Sequence, residues 1–300
     1  MSLHQLLPAQ GVDDLMAQWP TEPVVYRRGG CAVDSVITAD LLNEYIDSGC
    51  YPAPEIAVVK TPHPSITQAA FTEAGRTCGK KLRGLYEAGF TVRLGHAQRV
   101  IPVLYQACRG IQQETGYSTY VHAFLTPAGC QGLTHHWDQQ LAVVVQIAGV
   151  KRWELWRPVV DAPMREFAES WRVWQKEWLP GWEAAGPDMV VDLEPGQTLL
   201  LPRGWVHNPA VPPDGGDSVH LTFAVRERTP YWLAEQLLAG ALDDPVFRRV
   251  LRPSGLLGDG LAGHLDQTRA RLVAYLGGLD AELLAPLVRE AALRDREYTT

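Results

Sequence analysis

The chain is poor in anything that would cross-link it or clamp it around a structural metal. Its five cysteines, Cys31, Cys50, Cys78, Cys108 and Cys130, are odd in number and scattered. They make neither a disulfide framework nor zinc-ligand spacing, and reduced thiols in a cytoplasm fit that pattern. There is no excess of positive charge: 27 Lys and Arg stand against 34 Asp and Glu, for a net charge of −7. That balance argues against direct nucleic-acid binding and is compatible with a basic protein or peptide partner. No apolar run approaches the ~20 residues a membrane helix needs. The N-terminus lacks a basic segment followed by an apolar core, so no secretory signal is expected. Internal repeats, long low-complexity linkers and a Ser-His-Asp or reactive-cysteine arrangement are all missing. What remains is an ordinary globular composition at 300 residues, enough for a substantial core in one enlarged domain or two.

The strand signals lie mainly between residues 115 and 228. Tyr120 to Leu125, Leu141 to Ile147, Arg152 to Trp156, Met189 to Leu193, Thr198 to Leu201 and His220 to Val225 are rich in β-branched and aromatic residues. Pro/Gly clusters punctuate them, as expected of a sandwich or barrel, for which a jelly roll is one solution. Before them, Pro23 to Arg27 reads as a short strand. Asp40 to Ile46 reads as a helix behind Thr38, a cap. Val100, Val103, Leu104, Ala107, Cys108 and Ile111 recur at helical spacing. Pro102 fits there only in the first turn, and this helix is expected to pack outside the barrel. Arg165 to Trp182 sets Phe167, Trp171, Trp174 and Trp178 on one helical face, expected to bury against the barrel, or else to cover the site or grip a peptide substrate. Beyond Pro230 three helices are expected, around Trp232–Leu238, Leu272–Leu279 and Leu283–Val288.

The densest chemistry is Gly132-Leu133-Thr134-His135-His136-Trp137-Asp138, answered by Pro202-Arg203-Gly204-Trp205-Val206-His207. Two imidazoles and one carboxylate on one face of a metal leave the other face open, which suits a non-haem Fe(II) oxygenase. In a strand, residues i and i+2 project to the same side. His136 and Asp138 would then share one ion while His135 and Trp137 point away.

Several further signatures agree with this one. The run Leu125-Thr126-Pro127-Ala128-Gly129-Cys130-Gln131-Gly132 precedes His136-Trp137-Asp138. Gln146-x-x-Gly149-x-Lys151-Arg152-Trp153 follows, then Glu194-Pro195-Gly196-Gln197 and Ser218-Val219-His220-Leu221-Thr222. In this order they resemble the JmjC-type cupin oxygenases of the ribosomal-oxygenase group, over residues 115 to 228.

The resemblance implies a mainly β fold with α, a double-stranded β-helix core with flanking helices and a C-terminal helical region. It divides the chain into an N-terminal α/β region (1–114), a catalytic cupin (115–228, with a Trp-rich insertion at 163–185) and dimerising helices (229–300). It implies an Fe(II)-, O2- and 2-oxoglutarate-dependent hydroxylase acting on an amino-acid side chain of a protein or peptide. A small-molecule hydroxylase, an N-methyl-lysine demethylase and a non-enzymatic metal-binding cupin stay open. His136, Asp138 and His207 take the metal positions, and Lys151 takes the place of the cation that holds the far carboxylate of 2-oxoglutarate. His220, which the family also has, is read as lying behind the ligands. His122 and Phe124 depart from the family, where Asn and Tyr are frequent. Phe124 donates no hydrogen bond, so cosubstrate anchoring falls to Lys151, Thr126 or His122.

Overall fold

Strand Thr119–Thr126 is written in strict alternation. Val121, Ala123 and Leu125 are fully buried on one face, while Tyr120, His122 and Phe124 take the other. That alternation fixes which side of the sheet is core and which lines the site. In the computed structural model, which describes residues 2–29, 33–165, 167 and 171–294, this strand lies within an eight-stranded antiparallel sheet. The strand order is Val24–Arg27, Gln197–Leu201, Leu141–Ala148, Ser218–Val225, Thr119–Thr126, Thr91–Leu94, Ile56–Lys60 and His63–Ile66. Residues from both sides of position 114 therefore share one sheet.

A second sheet has the order Met189–Leu193, Lys151–Trp156, Val206–Ala210. Its far edge is completed by single bridges rather than a strand: Gln131 opposite Ala210, and His136 opposite His207. The two layers form a double-stranded β-helix. Ala142, Val144, Trp153, Leu155, Leu193, Leu199, Leu201 and Trp205 fill the space between them.

The larger core lies on the outer face of the eight-stranded sheet. Helix Pro102–Thr115, with Pro102 in its first turn, buries Leu104, Ala107, Cys108 and Ile111 in one cluster with Val121, Ala123 and Leu125. Helix Ala39–Ser48 begins at Thr38, whose hydroxyl accepts from the Leu41 N–H at 3.1 Å.

The Trp-rich segment forms helix Trp171–Ala185. Phe167 does not belong to it: Phe167 pairs back to Met164 in an isolated bridge and is exposed. Trp178 and Trp182 pack with Trp137, Trp156 and Val206, so this part of the stripe does bury against the barrel. The side chains of Trp171 and Trp174 lie outside the described residues.

The chain divides near Arg228 into two compact units. The second holds helices Pro230–Gly240, Leu261–Gly277 and Ala281–Arg294. Among the described residues, no helix is long and apolar enough to cross a membrane.

Candidate metal centre

His136 and Asp138 are not in a regular strand, contrary to the sequence expectation. His136 sits in the isolated bridge and Asp138 in the irregular segment after it. The pairing here is a single bridge. His136 N–H donates to His207 O at 3.1 Å and His207 N–H to His136 O at 2.8 Å, while Asp138 O accepts from Gly204 N–H at 2.9 Å. Gly204 can make that approach because it holds φ +84°, and a Cβ there would meet the Pro163 ring at 2.8 Å. His207 lies just past the turn at residues 203–204, within strand Val206–Ala210.

The three side chains nonetheless converge. One ligand atom from each of His136, Asp138 and His207 lies within 4.8 Å of the others, the only such His/Cys/Asp/Glu group among the described residues. His207 Nε2 and Asp138 Oδ2 are 3.9 Å apart, too far for a hydrogen bond and close enough for both to reach one ion at bonds of ~2 Å. Both imidazoles are oriented by their own chain two residues back. His136 Nδ1 donates to Thr134 O at 2.7 Å and His207 Nδ1 to Trp205 O at 3.0 Å. Each Nε2 is thereby left as the lone-pair nitrogen aimed at the centre. Burial pushes the pKa of His136 down to about 3 and that of His207 to about 4, and it raises that of Asp138. The donor set fits a divalent first-row metal.

His135 and His220 take other places. His135 is wedged between Trp156 and Trp182, with ring centroids 4.6 and 5.9 Å away. His220 stacks on Phe124 at 4.9 Å and meets Trp153 edge-on at 5.7 Å. Trp153 also touches His207, at 5.6 Å.

Lys151 is 2% exposed, at the start of its strand. The Gln146-x-x-Gly149 spacing explains how it gets there. Gln146 Nε2 donates to Ala148 O, Gly149 O and Ser218 Oγ at 2.8–2.9 Å, tying down the turn. Gly149 holds φ +62° where a Cβ would strike Asp217 O. Lys151 Nζ donates to Thr126 Oγ1 at 2.9 Å, and Thr126 Oγ1 also pairs with Thr91 Oγ1 at 2.9 Å. One hydroxyl is little for three donors in a buried site. Burial accordingly lowers the pKa of Lys151 to about 7.

His122 and Phe124 share one face of strand Thr119–Thr126. His122 Nδ1 accepts from the His96 N–H at 3.0 Å. Phe124 pairs across the sheet with Arg93. Arg93, Thr91 and His96 were not legible as site residues. Only the register of strand Thr91–Leu94 against Thr119–Thr126 brings Arg93 and Thr91 to this face.

A JmjC domain is matched over residues 93–233. The chain is 29% identical over 227 residues to ribosomal oxygenase 1 of Danio rerio, covering 73% of this chain and 40% of that protein. It is 27% identical over 229 residues to the bifunctional lysine-specific demethylase and histidyl-hydroxylase NO66 of Culex quinquefasciatus, covering 75% and 34%. It thus spans well under half the length of these relatives. Among solved structures it is similar to YcfD, a ribosomal oxygenase from Escherichia coli, in complex with cobalt and 2-oxoglutarate. There the TM-score is 0.55 at 16% identity, over 91% of this chain and 68% of that one. The cobalt and succinic acid complex of YcfD gives 0.57 at 15%, over 92% and 68%.

Proposed function

We propose that this chain, whose residues 93–233 are a JmjC domain, is an Fe(II)- and 2-oxoglutarate-dependent oxygenase that hydroxylates an amino-acid side chain of a protein or peptide. The observation that carries this reading is the convergence of His136, Asp138 and His207 on one point, inside the same barrel as a buried ammonium with unfilled donors. The relatives' names, ribosomal oxygenase and histidyl-hydroxylase, support a protein substrate.

His136, Asp138 and His207 would hold the iron, which supplies activation of O2 for insertion of oxygen into a C–H bond, with succinate and CO2 released from 2-oxoglutarate. Lys151 and Thr126 would bind the far carboxylate of that cosubstrate through charge-assisted hydrogen bonds. Trp153 and the His220–Phe124 stack would wall the slot and exclude water. His122 and Phe124 would face the substrate. The protein's part is to orient one C–H bond, since the metal and cosubstrate carry the chemistry.

The reading extends to a cytoplasmic homodimer joined through the C-terminal helices. Leu257, Leu265, Val273, Leu283 and Leu287 are all more than 60% exposed in the second unit. A second copy is the occupant that would cover them about a two-fold axis.

Anaerobic titration of the protein with Fe(II) and 2-oxoglutarate tests the core of the proposal. A metal-to-ligand charge-transfer band at one equivalent of each is expected. Its absence, with the protein folded, overturns the oxygenase reading.

A further inference from the structure

Beside the metal ligands the inner face of the barrel carries two donors that no acceptor of the described residues meets. That face includes one side of strand Thr119–Thr126, with Tyr120, His122 and Phe124 at alternate positions. Arg93 lies across the ladder from Phe124. His96 closes one side, 5.5 Å from Tyr120 and 5.3 Å from His122, ring to ring.

The protonation of His122 is fixed by geometry. Its Nδ1 accepts from the His96 backbone N–H, so a neutral ring must carry its proton on Nε2. Burial, with Arg93 and His96 nearby, keeps His122 neutral. Among the described residues, no group accepts from that Nε2–H. His96 holds a left-handed backbone, φ +46°, which is uncommon for a residue with a side chain and which aims its N–H at His122.

Arg93 is the second open donor. Its Nε is buried without a partner, and among the described residues no acceptor meets its guanidinium. It cannot shed its proton to relieve the cost. The acids nearby are committed. Glu55 binds His96 Nδ1 at 2.7 Å and Arg99 at 2.6 Å, and Asp138 belongs to the metal group. The Tyr120 hydroxyl donates to Gln140 Oε1 at 3.3 Å. Phe124, stacked on His220, offers no polar atom. Formal charges give the same answer. A divalent metal and Lys151 together balance Asp138 and the two carboxylates of 2-oxoglutarate, and Arg93 is left over.

We infer that the side chain received beside the metal ends in a carboxylate, an Asp or Glu of the substrate, held by the Arg93 guanidinium and the His122 Nε2–H. This rests on the oxygenase reading above and names its substrate class. A methyl-lysine or arginine side chain would bring a second cation against Arg93. A neutral histidine would leave the enclosed Nε of Arg93 without an acceptor, a costly arrangement. The chemistry balances as in any such hydroxylation: one oxygen of O2 enters a substrate C–H bond as C–OH, the other enters succinate, and 2-oxoglutarate supplies two electrons as it loses CO2.

The test uses the intact protein with Fe(II) and 2-oxoglutarate, and pools of nine-residue peptides with randomised flanks. The central residue is fixed as Asp, Glu, Asn, His, Arg or trimethyl-lysine. Binding is read under argon as a shift of the charge-transfer band, and turnover as peptide gaining the mass of one oxygen. Acidic pools are expected to shift the band at concentrations about tenfold lower than the Asn pool, the ratio expected from losing a charge-assisted contact. Arg93→Glu should reverse the order in favour of the Arg and trimethyl-lysine pools. The pool comparison needs only the wild-type protein, so it stands even where an Arg93 variant does not fold. If the band forms and acidic pools are not preferred, whether another pool leads or none responds, the assignment is wrong. If the band never forms, it is the oxygenase reading that has failed.

Discussion

Two cations point into the barrel, and the fold treats them differently. Lys151 is almost wholly enclosed, touches one hydroxyl, and has its pKa lowered by burial to about 7. Its charge is therefore conditional and appears in full only when an anion arrives. Arg93 has an enclosed Nε with no acceptor, and its guanidinium stays charged whatever the pH. A lysine suits a slot that must empty and refill with a small dianion. An arginine suits a pocket that must always discriminate by charge. In the proposed oxygenase that difference would separate holding a cosubstrate from selecting a substrate.

Both roles presuppose the metal, so the largest effect tests that. Asp138→Ala should abolish turnover and weaken Fe(II) binding beyond the ~10- to 100-fold cost of losing an outer hydrogen-bond partner. Calorimetric titration with Mn(II) or Fe(II) measures it, and near-normal metal affinity would move the centre elsewhere.

Lys151→Ala comes next. Losing a charged contact to a buried carboxylate costs roughly 2–4 kcal/mol, or about 30- to 1000-fold in 2-oxoglutarate affinity. Metal affinity should hardly change. Unchanged cosubstrate affinity would erase the distinction between the two cations.

A smaller effect sharpens the contrast. In the wild type, unliganded Lys151 is neutral above pH 7 and must take up a proton to hold a carboxylate. The 2-oxoglutarate Kd should be flat below pH 7 and rise above it, approaching about tenfold per pH unit. Lys151→Arg should keep binding but lose the slope, because guanidinium does not titrate there. A wild-type Kd constant from pH 6 to 9 contradicts the conditional charge.

The smallest effect concerns the wall that both imidazoles His207 and His220 touch. Trp153 is buried with its indole N–H unpartnered. Trp153→Phe removes that orphan donor along with some packing, so thermal or urea unfolding should show a loss below the ~3–5 kcal/mol typical of truncating a core Trp to Ala. A loss as large as that would mean the indole nitrogen has a partner that matters.

The strands of the barrel were legible because their residues announce themselves. Met189–Leu193 lies where its β-branched run puts it, and Leu141–Ala148 and Ser218–Val225 differ from expectation only at the ends. The pairing of His136 with Asp138 in one motif was legible too, but the physical cause differs from the one the spacing suggests. Convergence comes from backbone hydrogen bonds to His207 and Gly204, not from a pleated strand. What stayed hidden depends on register between distant segments. Nothing in Thr91-Val92-Arg93-Leu94 marks Arg93 as an interior charge until Phe124 is set opposite it. Strand Val206–Ala210 was hidden by Pro209, which sits in a short strand of the small sheet.

The tethers from Thr134 O and Trp205 O to the ligand imidazoles have a consequence for the proton inventory of metal capture. Metal sites ordinarily release protons as they fill, and lose affinity in acid for that reason. Here both rings are already neutral across the physiological range, with the tautomer set and the lone pair facing inward before any ion arrives. The imidazoles give up nothing on binding. Of the three ligands, Asp138 is the one that burial biases toward its protonated form. A pH-stat should therefore record no proton release from the two histidines as iron loads.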